Sequence, residues 1–119
     1  SKLRHRNFNR YQKNLKNFWS QESNLKLVSS FGYATFVKNR LEVFKFLKSK
    51  KIQTRPLICG NMGQQPFWKK KTNTKNSLPN AEFINKYGLY LPNHANLSIK
   101  DIDFICKNFK ISAKQIFFN

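Results

Sequence analysis

Apolar side chains open the chain at a helical interval. Leu3, Phe8, Tyr11, Leu15 and Phe18 recur three to five residues apart, with arginine and lysine between them. Residues 2–19 therefore predict an amphipathic helix. Its cations would also suit an anionic lipid surface, but packing against a core is the preferred reading. Residues 20–28 are polar and predict a connection. The period then falls to two: in Ser29 to Val37, Phe31, Tyr33, Thr35 and Val37 alternate with small residues and Phe36, the pattern of a strand.

A second helix is predicted over Asn39 to Lys51. Leu41, Phe44 and Leu47 share a face, Asn39 stands at the N-cap, and Lys48, Lys50 and Lys51 crowd the C-terminal end, where the helix dipole favours cations. Ile52 to Ile58 predicts another strand, which Pro56 confines to an edge or an end. Residues 68–78 have no periodicity and predict a loop. Leu78-Pro79-Asn80 opens a short helix through Tyr87, with Ile84 and Tyr87 inward and Gly88 at the C′ position. Leu89 to Leu91 predicts a third strand, stopped by Pro92. Ser98-Ile99-Lys100-Asp101 has capping-box spacing, and Ile102, Ile105, Cys106 and Phe109 form a helical stripe behind it. Ile111 to Asn119 is apolar enough to pack but ambiguous in type. Together these elements make an α+β domain, a small three-stranded sheet with helices on one face and the other face in want of a cover.

Composition narrows this picture. The 119 residues, 39% hydrophobic and 15% aromatic, suit one ordered domain rather than a disordered chain. No apolar run approaches the ~20 residues that cross a bilayer, and no leader is visible, so a cytoplasmic location is expected. Cys59 and Cys106 are far apart and predict two buried thiols rather than a disulfide or a metal site. His5 and His94 have no cysteine or histidine at zinc-ligand spacing.

The formal charge is +18. That number invites a polyanion as partner, and a free-standing basic module for RNA or DNA is the alternative it leaves open. Three features weigh against it. The abundant Lys, Asn, Phe and Ile share A/T-rich codons, and the lysines are scattered. Only five residues are arginine, the residue suited to bidentate reading of bases.

The chain has four glycines, and two, Gly60 and Gly63, fall in T-R-P-L-I-C-G-N-M-G-Q-Q-P-F, residues 54–67. A P-loop needs wider glycine spacing and then a lysine, and Gln64 and Gln65 do not supply it. A dinucleotide fingerprint needs a third glycine. A nucleic-acid-clamping G-x-x-G lies between helices, whereas Gly60 follows a strand-like run and Pro66 comes soon after. On spacing alone the stretch is a strand-end turn. Glu22, Glu42, Glu82, Asp101 and Asp103 do not pair with a nearby histidine, so no catalytic residue is assigned.

Taken together, I-Q-T-R-P-L-I-C-G-N-M-G-Q-Q-P-F and L-P-N-A-E-F-I-N-K-Y-G-L-Y-L-P-N-H-A-N-L-S-I-K-D-I-D-F-I resemble the C-terminal part of the DegT-type nucleotide-sugar aminotransferases. These are pyridoxal-phosphate (PLP) enzymes of aminotransferase fold type I, and the branch that includes the keto-sugar 3-dehydratases is most similar. The matching pieces are Arg55-Pro56, Gly60-Asn61, Gln65-Pro66, Leu78-Pro79-Asn80-Ala81 and Gly88 to His94. Residues 69–77, rich in Lys and Asn, depart from the pattern.

The resemblance implies that residues 29–109 are the family's small domain and residues 1–19 the connector from a cofactor domain. That domain would carry the PLP or its amine form, the Schiff-base lysine and most catalytic groups. It would precede Ser1, so the chain is expected to be a piece or a truncated product, inactive alone and holding no cofactor by itself. By position Arg55, Asn61, Gln65 and His94 would bind the nucleotide-sugar. The expected partners are the cofactor domain, further copies in a homo-oligomer and the nucleotide-linked keto-sugar, with no membrane. A domain that only dimerises is the third reading.

Overall fold

The structure is a computed structural model, and it describes residues 2–18, 32–57 and 81–116. Four helices and three strands occur among the described residues: α1 (Lys2–Asn14), β1 (Tyr33–Phe36), α2 (Arg40–Ser49), β2 (Arg55–Pro56), α3 (Ala81–Tyr87), β3 (Gly88–Leu91) and α4 (Ile99–Ser112). The strand order is β1-β3-β2, and β3 runs antiparallel to both neighbours. The last strand in sequence thus inserts between the first two. β1, α2 and β2 do not form a closed strand-helix-strand pair, because β3 separates the strands.

The short strands are buried unequally. All four residues of β1 are buried, while both residues of β2 are exposed. Pro56 sits on that edge strand, where a missing N–H does no harm to an outer ladder. Tyr33, Val37, Leu89 and Leu91 face the larger cluster, which α1, α2 and α4 complete with Phe8, Tyr11, Val43, Leu47, Ile102 and Phe109 among others. Tyr11 stacks on Tyr33 with ring centroids 4.6 Å apart, and Phe18 meets Phe109 edge-on at 5.0 Å. The opposite face of the sheet is not bare. Ala34, Phe36, Leu57 and Ile84 form a smaller cluster there, with Phe83, Tyr87, Tyr90 and Ile116 half-buried around it.

Several expected positions shift. The first helix ends at Asn14, and Leu15 to Phe18 continue as turns from which Leu15 and Phe18 still pack on the core. Leu3 is 46% exposed and Leu41 71% exposed, so neither belongs to the core stripe predicted for its helix. Asn7 occupies an inward place on α1 instead, and Val43 one on α2. Asn39 makes no cap bond to α2. Its side chain joins the ends of two helices: the amide donates to the Ser112 carbonyl at 2.7 Å, and its oxygen accepts from the Lys114 N–H at 2.8 Å.

Gly88 is also used differently. It is the first residue of β3, paired with Phe36. A Cβ there would lie 2.7 Å from the Ile84 carbonyl oxygen and 2.9 Å from the Leu57 Cβ. Close approach, not a left-handed cap, requires glycine. The left-handed cap lies at Lys51, with φ 62°. Lys51 N–H reaches the Lys48 carbonyl and Ile52 N–H the Leu47 carbonyl, closing α2 in a Schellman motif with Ile52 and Leu47 both in the core. The capping box of α4 forms as expected: Asp101 N–H donates to the Ser98 hydroxyl at 3.1 Å, and Ser98 N–H to the Asp101 carboxylate at 2.9 Å.

Candidate functional site

The site grows from the end of β3. Arg55 stands opposite Tyr90 in the β2–β3 register, so both side chains leave the same face of the sheet. Pro92 ends the strand, and Asn93 and His94 follow in the connection to α4. Gln53 and Thr54 precede Arg55 on the edge. Together with Arg4 from the first turn of α1, these residues wall an open cavity of about 240 Å³. Arg55 and His94, two of the four residues singled out from the sequence, therefore meet at one cavity. Asn61 and Gln65 lie outside the described residues, as do Gly60, Gly63 and Cys59.

The cavity has a cationic character. Among the described residues two arginines line it and no acidic residue does. Asn93 is 7% exposed. Its amide donates to the Arg4 carbonyl at 3.4 Å, while its Oδ1 is buried without a hydrogen-bond partner. His94 is exposed and belongs also to the neighbouring groove toward α4, where Asp101 lies. The Asp101 carboxyl is held below its ordinary range, first by the hydrogen bond from the Ser98 N–H and then by the Ser98 hydroxyl, with the charge of His94 adding a smaller contribution.

α1 fixes this connection from outside. Tyr11 donates its hydroxyl to the Pro92 carbonyl at 2.5 Å, Asn7 its amide to the His94 carbonyl at 3.1 Å, and Arg6 a guanidinium N–H to the Leu97 carbonyl at 2.8 Å. One helix face thus satisfies three carbonyls along the connection. A buried carbonyl left unmet is expensive, so Asn7 is polar where the helical stripe alone would ask for an apolar residue. Burial raises the Tyr11 hydroxyl well above the usual tyrosine range, so it remains a donor. Below this clamp Arg10 grips Asp103 on α4 with two hydrogen bonds of 2.8 Å, and Asn14 adds a third to the same carboxylate. These bonds, Arg10 first and Asn14 second, hold the Asp103 carboxyl down to about 2. Burial pushes the adjacent Cys106 thiol up to about 11, which keeps it protonated and inert at neutral pH.

Sequence reasoning missed Arg4, Asn7 and Asn93. The phase of α1 places Asn7 beside Phe8 and Tyr11, a polar residue inside an apolar stripe, and that was the available signal. No cluster of His, Cys, Asp and Glu able to hold a metal occurs among the described residues, and none of their helices is long and apolar enough to cross a membrane. The described lysines are all exposed. A lysine that forms a Schiff base near neutral pH needs desolvation or a cationic neighbour in a pocket, so the described residues do not fit covalent attachment of a carbonyl cofactor.

A profile of the DegT/DnrJ/EryC1/StrS aminotransferase family matches residues 1–110. No curated protein matches the chain significantly. Among solved structures, an E. coli GDP-4-keto-6-deoxy-D-mannose-3-dehydratase with bound hydrated PLP aligns with TM-score 0.64 and 21% identity over 91% of this chain. A DegT/DnrJ/EryC1/StrS aminotransferase from Brucella abortus aligns with TM-score 0.67 and 23% identity over 92% of it. A GDP-4-keto-6-deoxymannose-3-dehydratase, ColD, with bound GDP-perosamine aligns with TM-score 0.65 and 24% identity over 91%. In each case the chain covers 30% of the other protein. These likenesses establish the fold. None of these matches is a nucleic-acid-binding module, the alternative that the charge had left open.

Proposed function

The chain belongs to the DegT/DnrJ/EryC1/StrS aminotransferase family, and from that premise we propose that it is the C-terminal small domain of an enzyme that aminates or dehydrates a nucleotide-linked keto-sugar. In this reading residues 29–109 form the small domain, and residues 1–19 connect it to a cofactor domain that carries PLP. PLP, when bound there, supplies the electron sink for either reaction. The present chain supplies walls and contacts, not the Schiff-base lysine, and is inactive alone. The whole enzyme is a cytoplasmic homo-oligomer.

The observation that carries this reading is the meeting of Arg55 and His94 at one cavity whose described lining holds no acidic residue. Arg55 offers a planar fork of N–H donors to phosphate or sugar oxygens. His94 offers an imidazole at the open side. Asn61 and Gln65 contribute amide donors and acceptors from the segment between β2 and α3. The role of all four is to bind and orient the nucleotide-sugar, with no proton transfer assigned.

The reading frame upstream of Ser1 provides the test. It should continue into a cofactor domain with a Schiff-base lysine, and the product of the whole frame should turn over a nucleotide-linked 4-keto-sugar when supplied with PLP. Arg55→Ala in that product should lower kcat/KM at least about tenfold, the usual effect of losing one charge-assisted contact, with cofactor loading unchanged. A stop codon just upstream of Ser1, or a whole product that ignores every nucleotide keto-sugar offered, would overturn the proposal.

A further inference from the structure

We infer that the outer face of α1 and α4 docks on an anionic lipid surface, with Phe104 and Ile111 entering the interfacial layer and cations of both helices meeting the headgroups. This goes beyond the proposed function and does not rest on it, and it departs from the expectation of no membrane partner. The two helices run side by side in the same direction, since Arg6 reaches Leu97, Arg10 reaches Asp103 and Phe18 meets Phe109. Phe8, Tyr11 and Leu15 from the first segment and Ile102, Ile105 and Phe109 from the last enter the same core cluster. The opposite stripes of both helices therefore point away from the sheet.

Those stripes carry charge of one sign. Lys2, Arg6 and Lys13 stand exposed at helical intervals on α1, and Lys100, Lys107 and Lys110 on α4. α1 has no acidic residue. The two acids of α4 are engaged, Asp101 in the capping box and Asp103 by Arg10 and Asn14. Like charges at these spacings repel along a helix, and an anionic partner relieves that repulsion. α1 thus serves twice: its apolar stripe packs on the core, and its cationic stripe stays outward.

Apolar exposure selects the partner. Of the four large apolar side chains exposed among the described residues, three, Leu3, Phe104 and Ile111, lie on these two helices. Lys100, Phe104, Lys107 and Ile111 recur every three or four residues, so α4 presents one outward stripe in which cation and apolar group alternate. Phe104 is 50% exposed and Ile111 62%. A bilayer interface accepts both kinds of group at once. A nucleic acid would pair with the cations, and a base could stack on Phe104, but Ile111 and Leu3 offer no plane for stacking. The contact is with the surface of the bilayer, since no helix among the described residues is long and apolar enough to cross it.

Co-sedimentation of the full 119-residue chain with lipid vesicles tests the face. The chain should pellet with vesicles of phosphatidylcholine and phosphatidylglycerol in equal parts and stay in solution with phosphatidylcholine alone. It should be released as salt rises toward ~1 M, where the screening length shrinks to about 3 Å. Lys107→Ala should weaken binding about fivefold, the usual effect of one cation near an anionic surface. Lys86→Ala removes the same charge from α3, on the opposite side of the sheet, and should change binding less than about twofold. Phe104→Ala and Ile111→Ala should each weaken it about threefold or more by removing apolar area from the interface. Both side chains are exposed in the free chain, so these variants should keep the melting midpoint of the parent. Absence of binding to the mixed vesicles, or equal losses in Lys107→Ala and Lys86→Ala, would overturn the proposal. So would Phe104→Ala and Ile111→Ala chains that bind as well as the parent, since charge alone would then account for the contact. An RNA oligonucleotide that strips the chain from the vesicles at a phosphate concentration well below that of the lipid would assign the face to nucleic acid and also overturn it. Failure of the whole enzyme to turn over keto-sugars leaves these outcomes untouched, because vesicle binding needs neither substrate nor cofactor.

Discussion

The two faces of the sheet are built to different depths. One carries three helices, a stacked tyrosine pair, an edge-on phenylalanine pair and the clamp of α1 on the β3–α4 connection. Among the described residues the other carries four buried ones, gathered by the two-turn helix α3 and the residue after β2. The thin face also bears the Arg55 and Tyr90 side chains, so the candidate site opens beside the less heavily packed half of the domain. Stability and binding are therefore drawn from different sides of the same strands, and β3 contributes to both because its residues alternate: Leu89 and Leu91 to the core, Tyr90 to the thin face.

The comparison breaks or holds first on large-to-small substitutions. Phe109→Ala on the deep face should cost about 3–5 kcal/mol, a large part of the roughly 5–15 kcal/mol that holds a domain folded. Ile84→Ala on the thin face should cost less, near the lower end of about 2–5 kcal/mol, because fewer atoms surround the cavity it leaves. Urea denaturation of both variants measures the difference, and equal midpoint shifts would refute the asymmetry. Gly88→Ala is next. It pushes a methyl against the Ile84 carbonyl and Leu57, and overpacking of this kind costs about 1–3 kcal/mol. The same denaturation curve reads it, and no loss would mean that α3 moves away freely.

Lys51→Gly should act in the opposite direction. Lys51 holds a left-handed conformation that glycine adopts without strain, so the variant should gain about 0.5–1 kcal/mol and raise the melting midpoint without touching either cluster. The smallest expected effect is a pH dependence on the deep face. The folded Asp103 carboxyl is held down to about 2, below its ordinary value of 3.8. Its contribution is thus fully present above the ordinary value and is lost as pH falls through about 2. In Asp103→Asn the decline of stability between pH 5 and pH 2 should be shallower, which denaturation at several pH values will show.

Legibility in the sequence followed how local each decision was. α4 was readable from its cap, Ser98 with Asp101, through its stripe, Ile102 to Phe109, because both lie within one short segment, whereas its last residues, Ile111 and Ser112, were ambiguous. β2 was readable as an edge because Pro56 cannot donate to a ladder. Leu3 and Leu41 misled because helical phase says which residues share a face, and not how far the neighbouring element extends to cover them. Gly88 misled for a related reason: a glycine after a helix suggests a cap, while the approach of Leu57 that actually excludes a side chain comes from a distant segment. Arg55 and His94 were identified through the resemblance of their motifs. Arg4 carries no motif, and only docking of α1 on the connection after β3 brings it to the cavity.

The amino-acid sequence by itself determined the kinds and order of the elements, the capped final helix, the edge strand and the family resemblance, because periodicity, turn chemistry and motif order are properties of neighbouring residues. The tertiary structure alone decided that β3 lies between β1 and β2, that Asn7 rather than Leu3 turns inward, and that Arg4 joins Arg55 at one cavity. Those outcomes depend on which carbonyls need donors and which surfaces meet after the chain has closed on itself. No local pattern encodes them, since the partners are separated by tens of residues.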